Sequence, residues 1–149
     1  MVPEQLKLEN QLCFPVYAAS RLITRIYQPY LDEIGITYPQ YLVLLVLWER
    51  DERTVNEISR RLFLNTNTTT PLLKRLEAQD LVSRQRSGED ERKVIIALTG
   101  KGRKMQSRAA DIPGKISAGL ASKTMSVSDL IGLKEKLYSL IDTLSGKVD

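Results

Sequence analysis

The chain has 149 residues, 42% apolar and 27% charged, with a formal net charge of +4. That length fits a single domain able to bury a core, and the apolar share excludes bulk disorder. One cysteine cannot form an intrachain disulfide, and the absence of histidine removes histidine-based triads and most zinc sites.

The first residues lack the basic start and apolar stretch of a secretion signal. Leu6 to Leu31 reads as one long helical stretch, with Leu12, Val16, Ala19, Ile23, Ile26 and Tyr30 at three- and four-residue spacing. Pro15 either sets the helix start near Cys13 or kinks it there, Pro29 bends the far end, and Gly35 ends it. Thr37-Tyr38-Pro39 opens the next helix, and Leu42 to Trp48 is apolar on every side, as a central helix would be. No apolar run reaches the roughly 18 residues of a membrane span. A soluble, cytoplasmic protein is expected, with no cofactor or metal and no catalytic constellation.

Thr54 to Glu57 has the form of a capping box and starts a short helix to about Leu62. A brief turn, Phe63 to Asn65, leads to a second helix from about Thr66 to Gln79, with Leu72, Leu73 and Leu76 inward. This is helix-turn-helix spacing. The period then changes to two strands, Leu81 to Arg86 and Arg92 to Leu98, joined by a polar turn. Thr99 caps a further helix interrupted near Pro113-Gly114, and Ser126 or Ser128 caps a last one. There Leu130, Leu133, Leu137, Leu140 and Leu144 form one stripe, close to a heptad seam, that suits a dimer.

Residues 53–108 carry 13 Lys and Arg against 6 Asp and Glu, net +7; the remainder carries 9 against 12, net −3. A basic middle with a helix-turn-helix points to double-stranded DNA. The second helix would enter the major groove, its N-terminal end presenting Thr66, Asn67, Thr68 and Thr70. Lys74 and Arg75 suit backbone contacts. The hairpin carries Arg84, Arg86, Arg92 and Lys93, with Arg92 the candidate for the minor groove and Asp90 orienting a basic side chain or the turn.

Asp90-Glu91-Arg92-Lys93-Val94-Ile95-Ile96-Ala97-Leu98-Thr99 resembles the D-x-R…LT signature of the MarR family of winged-helix repressors. Asn10 to Phe14, Ile36 to Tyr41, Thr70 to Glu77 and Glu89 to Arg92 are similar to its organic hydroperoxide-sensing, OhrR-type branch. The resemblance implies a mainly α fold with a small β-hairpin wing, one MarR-type domain over 1–149. Segments 6–35 and 100–149 would pair two subunits, and 37–98 would be the winged helix-turn-helix. It implies a homodimer on a pseudo-palindromic operator. It also implies Cys13 as the peroxidatic thiol, with Tyr27 and Tyr38 as hydrogen-bond partners and Tyr17 a looser member of the pocket. Pro15, the run Asn65 to Thr69 and the lack of a second cysteine depart from the common pattern.

Only a thiolate attacks peroxide well, so the site must favour charged sulfur, through a helix N-terminus or hydroxyl donors. Cys13 and Tyr27 lie on what reads as one helix, about 21 Å apart along its axis. Tyr27 can therefore meet only the thiol of another subunit. The expected cycle is repression by the reduced dimer, oxidation of Cys13 by an organic hydroperoxide, capping by a low-molecular-weight thiol, and release of DNA. The alternative is a repressor of the same build that answers a small phenolic ligand or another oxidant, with Cys13 incidental.

Overall fold

A computed structural model describes residues 1–146; the last three residues of the expected 100–149 pairing segment lie outside the described residues. The chain divides into two compact units, Met1–Ala110 and a second beginning at Asp111. The first unit holds α1 (Cys13–Ile34), α2 (Tyr38–Glu49), β1 (Arg53–Thr54), α3 (Val55–Arg61), α4 (Thr66–Ala78), β2 (Val82–Arg86), β3 (Val94–Leu98) and α5 (Gly100–Ala109). The second holds α6 (Ile112–Leu120) and α7 (Val127–Ser145).

The expected single stretch from Leu6 is corrected: Glu4–Leu6 and Leu8–Asn10 are short 3-10 turns, and α1 begins at Cys13. Pro15 then falls in the first turn of α1, where backbone N–H groups have no intrahelical acceptor to lose. Pro29 lies inside α1, which continues past it to Ile34. Gly35 closes the helix in the left-handed region at φ 76°, and its N–H and that of Ile36 return to Asp32 and Leu31. Thr37 caps α2 through a reciprocal box with Gln40, Thr54 does the same for α3 with Glu57, and Ser126 for α7 with Asp129. Asn65 caps α4 by accepting from the Thr68 N–H.

The wing differs from the two-strand expectation. The antiparallel sheet has three strands in the order β1-β3-β2, with Ile96 of β3 opposite both Arg53 and Arg84. Two residues of β1 carry no readable alternation, and only their pairing with β3 makes them a strand. Leu44, Leu47, Ile58, Leu73, Leu76, Leu81 and Ile96 are fully buried and form the core that seats helix pair and sheet together.

Two contacts lock α5 to this core. Asp51 accepts the N–H of Leu98 at 2.8 Å and the Arg103 guanidinium at 2.9 Å. Burial pushes its carboxyl upward, but those donors and the Glu52 N–H outweigh this and hold its pKa below the ordinary value. Gly102 lies so close to the turn after α4 that a Cβ there would stand 2.1 Å from the Leu81 carbonyl oxygen. Its own carbonyl accepts the Trp48 indole N–H at 3.0 Å.

Candidate functional site

Cys13 is the first residue of α1, exposed and free, beside the unpaired N–H groups of a helix N-terminus. Tyr17 follows one turn later on the same face and is itself exposed. The guanidinium of Arg21, a further turn on, sits 5.4 Å over the Tyr17 ring and donates to its hydroxyl at 3.4 Å. Sequence reasoning missed Arg21; its signal was the four-residue step Cys13, Tyr17, Arg21 along one helix face.

Tyr27 and Tyr38 come together elsewhere. Their rings are 5.0 Å apart, and Tyr41 completes a cluster at 5.8 Å from Tyr27 and 6.2 Å from Tyr38. Trp48 meets Tyr41 edge-on at 6.4 Å. Tyr27 belongs to α1 and Tyr38 and Tyr41 to α2, so the cluster staples the two helices. Burial, then the neighbouring phenols, raise the pKa of all three tyrosines. Each is therefore a protonated O–H donor at neutral pH. The chain does not bring Cys13 to this cluster: α1 is continuous from Cys13 through Tyr27, which sets them about 21 Å apart. Nothing in the spacing of the sequence marks Tyr41 as a member of the cluster; only the packing of α1 on α2 brings it there.

The DNA candidates occupy two elements. On α4 the buried side is Thr69, Leu72, Leu73 and Leu76, leaving Thr66, Asn67, Thr68, Lys74 and Arg75 exposed and Thr70 half-buried. Thr69 is fully buried, and its hydroxyl accepts from that of Ser59 at 2.9 Å, which fixes α4 against α3. Thr68 donates its hydroxyl to the Asn65 cap. On the hairpin, Arg92 has a side chain 91% exposed, and Asp90 Oδ1 accepts both its backbone N–H at 3.1 Å and its Nε at 3.3 Å. The Asp90 carbonyl also accepts from Lys93, closing the turn, and Arg86 donates to the Glu91 carbonyl at 3.2 Å. Arg84 stands apart. It is half-buried, 3.8 Å from the Glu77 carboxylate of α4, and its Nε is buried without a partner.

The chain as a whole is similar to known proteins. The family model described as transcriptional regulator SarA/Rot matches residues 25–108. The organic hydroperoxide resistance transcriptional regulator of Bacillus subtilis (strain 168) is 50% identical over 144 residues, 97% of this chain and 96% of that protein. The chain belongs to the MarR-type winged-helix transcriptional regulators, in the organic hydroperoxide resistance branch. The family's fold is matched in solved structures too. AbfR of Staphylococcus epidermidis, in a structure of the reduced protein bound to DNA, is 40% identical with a TM-score of 0.81, covering 100% of both chains. Overoxidized AbfR bound to DNA is 42% identical with a TM-score of 0.75, covering 98% of both. Among the described residues no helix is long and apolar enough to cross a membrane.

Proposed function

We propose that this protein is a cytoplasmic, homodimeric repressor that binds double-stranded DNA while Cys13 is reduced and releases it when an organic hydroperoxide oxidises that thiol. The thiolate attacks the outer oxygen of ROOH, and the O–O bond breaks. The alkoxide leaves and takes a proton as ROH, and Cys13 becomes a sulfenic acid; sulfur is oxidised as the peroxide is reduced. With no second cysteine in the chain, a small thiol R′SH then condenses with the sulfenic acid, forming a mixed disulfide and water. Alternatively a further hydroperoxide takes the sulfur to the sulfinic acid.

One observation carries this reading. Tyr27 and Tyr38 form a protonated, half-buried pair on the same chain as a thiol they cannot reach, and that thiol is exposed at the head of their own helix. Two chains crossing through α1 place each thiol against the other's phenols. The apolar stretch around it (Phe14, Val16, Leu22 and Ile26 are all exposed) supplies the surface such a crossing covers. Segments 6–35 and 100–149 serve dimerisation, and the 37–98 region reads DNA. Thr66, Asn67, Thr68 and Thr70 face the major groove, and Lys74 and Arg75 contact the DNA backbone. Arg92, set by Asp90, enters the minor groove beside Arg86 and Lys93. Arg84 braces the hairpin on α4 through Glu77.

The test is binding to DNA from upstream of the protein's own gene, with and without cumene hydroperoxide. Wild type is expected to release the DNA and Cys13→Ser to stay bound. Release by Cys13→Ser would place the sensing elsewhere.

A further inference from the structure

The tyrosine-bearing corner and the reading helix are joined by a chain of polar contacts, buried at Gln40 and open to solvent at Gly35, that reaches beyond the α2 cap. Gln40, only 4% exposed, faces inward from the first turn of α2, between Tyr38 and Tyr41. Its side-chain oxygen accepts the Thr37 N–H at 3.0 Å, and its Nε2 donates to Gln79 Oε1 at 3.0 Å. Gln79 donates in turn to the carbonyl of Gly35, the last residue of the α1 corner, at 2.9 Å. Gln79 is the C-cap of α4, and Lys101 of α5 donates to its backbone carbonyl at 2.9 Å. One side-chain amide therefore grips the corner between the two tyrosine-bearing helices from the far end of the helix that presents Thr66 and Asn67.

We propose that Gln79, held by Gln40, is the positioning residue that carries the oxidation signal from the tyrosine pair to α4. The inference rests on the repressor reading above. Its physical basis is the cost of breaking the clamp. If the start of α2 moved and α4 did not, the buried Gln40 amide would lose its partner, a penalty that favours moving the helix with it. The lever is long: α4 spans about 20 Å, so a tilt of about 6° at Gln79 displaces its groove end by about 2 Å. That is enough to break base-edge hydrogen bonds, whose heavy atoms tolerate only a few tenths of an ångström.

The experiment uses full-length Gln79→Met, which keeps the side-chain length and removes both amide contacts. Operator affinity is measured for the reduced protein and after hydroperoxide, with Cys13 modification followed by mass spectrometry. The expected result has three parts. Reduced Gln79→Met binds within about threefold of wild type, and Cys13 is modified to the same extent. The oxidised-to-reduced ratio of Kd, expected at about 5- to 150-fold in wild type, falls at least fivefold or to near unity. A purely structural role would lower the melting temperature and both affinities together, leaving the ratio intact, and that outcome overturns the proposal. Should Gln79→Met melt well below wild type, Gln79→Glu is the second variant. It keeps the acceptor for Gln40 but gives up the donor to Gly35, and a ratio equal to that of wild type would also overturn the proposal. A wild type that keeps its operator when Cys13 is fully oxidised overturns the repressor reading itself. A wild type that releases it alongside an equally responsive Gln79→Met overturns only the role of the clamp.

Discussion

From Ile36 to Ala109 the large apolar side chains left exposed are Leu45 and Phe63, whereas α7 buries none of its side chains and the first turns of α1 leave Phe14, Val16, Tyr17 and Leu22 open. The two regions differ in pattern: α2 is apolar on every side, whereas α1 and α7 each carry one apolar stripe. They differ also in how far their apolar side chains are buried. Around α2 to α5 the facing layers are present, so Leu44, Leu73 and Ile96 disappear from solvent. Along the first turns of α1 and along α7 the stripes stay partly open, so part of their burial free energy is unrealised. One region completes its core alone, and the other is the surface that the proposed dimer would cover.

The largest expected effect would break that contrast on the open side. Glutamates at both Leu133 and Leu140 place unpaired charge in the proposed seam, a cost of several kcal/mol. Sedimentation should show a monomer, with operator affinity down about 100-fold, about 3 kcal/mol, and the circular dichroism of the helix-turn-helix region kept. A dimer that survives both changes would mean that α7 is not the seam.

On the closed side, Gly102→Ala should be the most damaging small change, since its methyl would meet a backbone oxygen that has nowhere to go. Overpacking of this kind costs about 3 kcal/mol, or roughly 10 °C in Tm. A melting curve that overlays wild type would show that α5 can slide away from Leu81.

Arg92→Ala tests the reading surface without touching either core. It should weaken operator binding by about 1–3 kcal/mol and lower the slope of log K against log salt by about one. An unaltered salt titration would remove Arg92 from the interface.

The smallest effect concerns acid. The folded-state pKa of Asp51 is lowered, so its contribution is complete above the unfolded carboxylate value and is lost as pH falls through the folded value. Wild type should therefore lose stability below about pH 4. Asp51→Asn should be less stable by about 1 kcal/mol at neutral pH, with a flatter acid limb in chemical denaturation. Parallel pH profiles for the two proteins would show that the Leu98 and Arg103 contacts contribute nothing.

Features fixed by neighbours in the chain were legible from sequence. Thr37, Thr54 and Gly35 announce helix ends because caps work within four residues, and the helix pair followed by a hairpin announces itself by a change of period. Features made by distant approach were not. Strand β1 exists only through Ile95 and Ile96, more than forty residues away. The need for glycine at 102 depends on the Leu81 carbonyl, and the role of Gln79 depends on Gly35 and Gln40. In the site, Tyr27 and Tyr38 could be named but not their contact with each other or with Tyr41. Arg84 reads like any basic wing residue until Glu77 is seen beside it.

The continuity of α1 has a genetic consequence. Each chain carries its sulfur at one end of a rod and its phenol two-thirds of the way along, so a crossed pair holds two sites of mixed parentage. A chain with Cys13→Ser still lends Tyr27, and a chain with Tyr27→Phe still lends Cys13. In the proposed crossed dimer these two defective alleles, co-expressed, would build a heterodimer with one wholly intact site, and peroxide response would then show intragenic complementation.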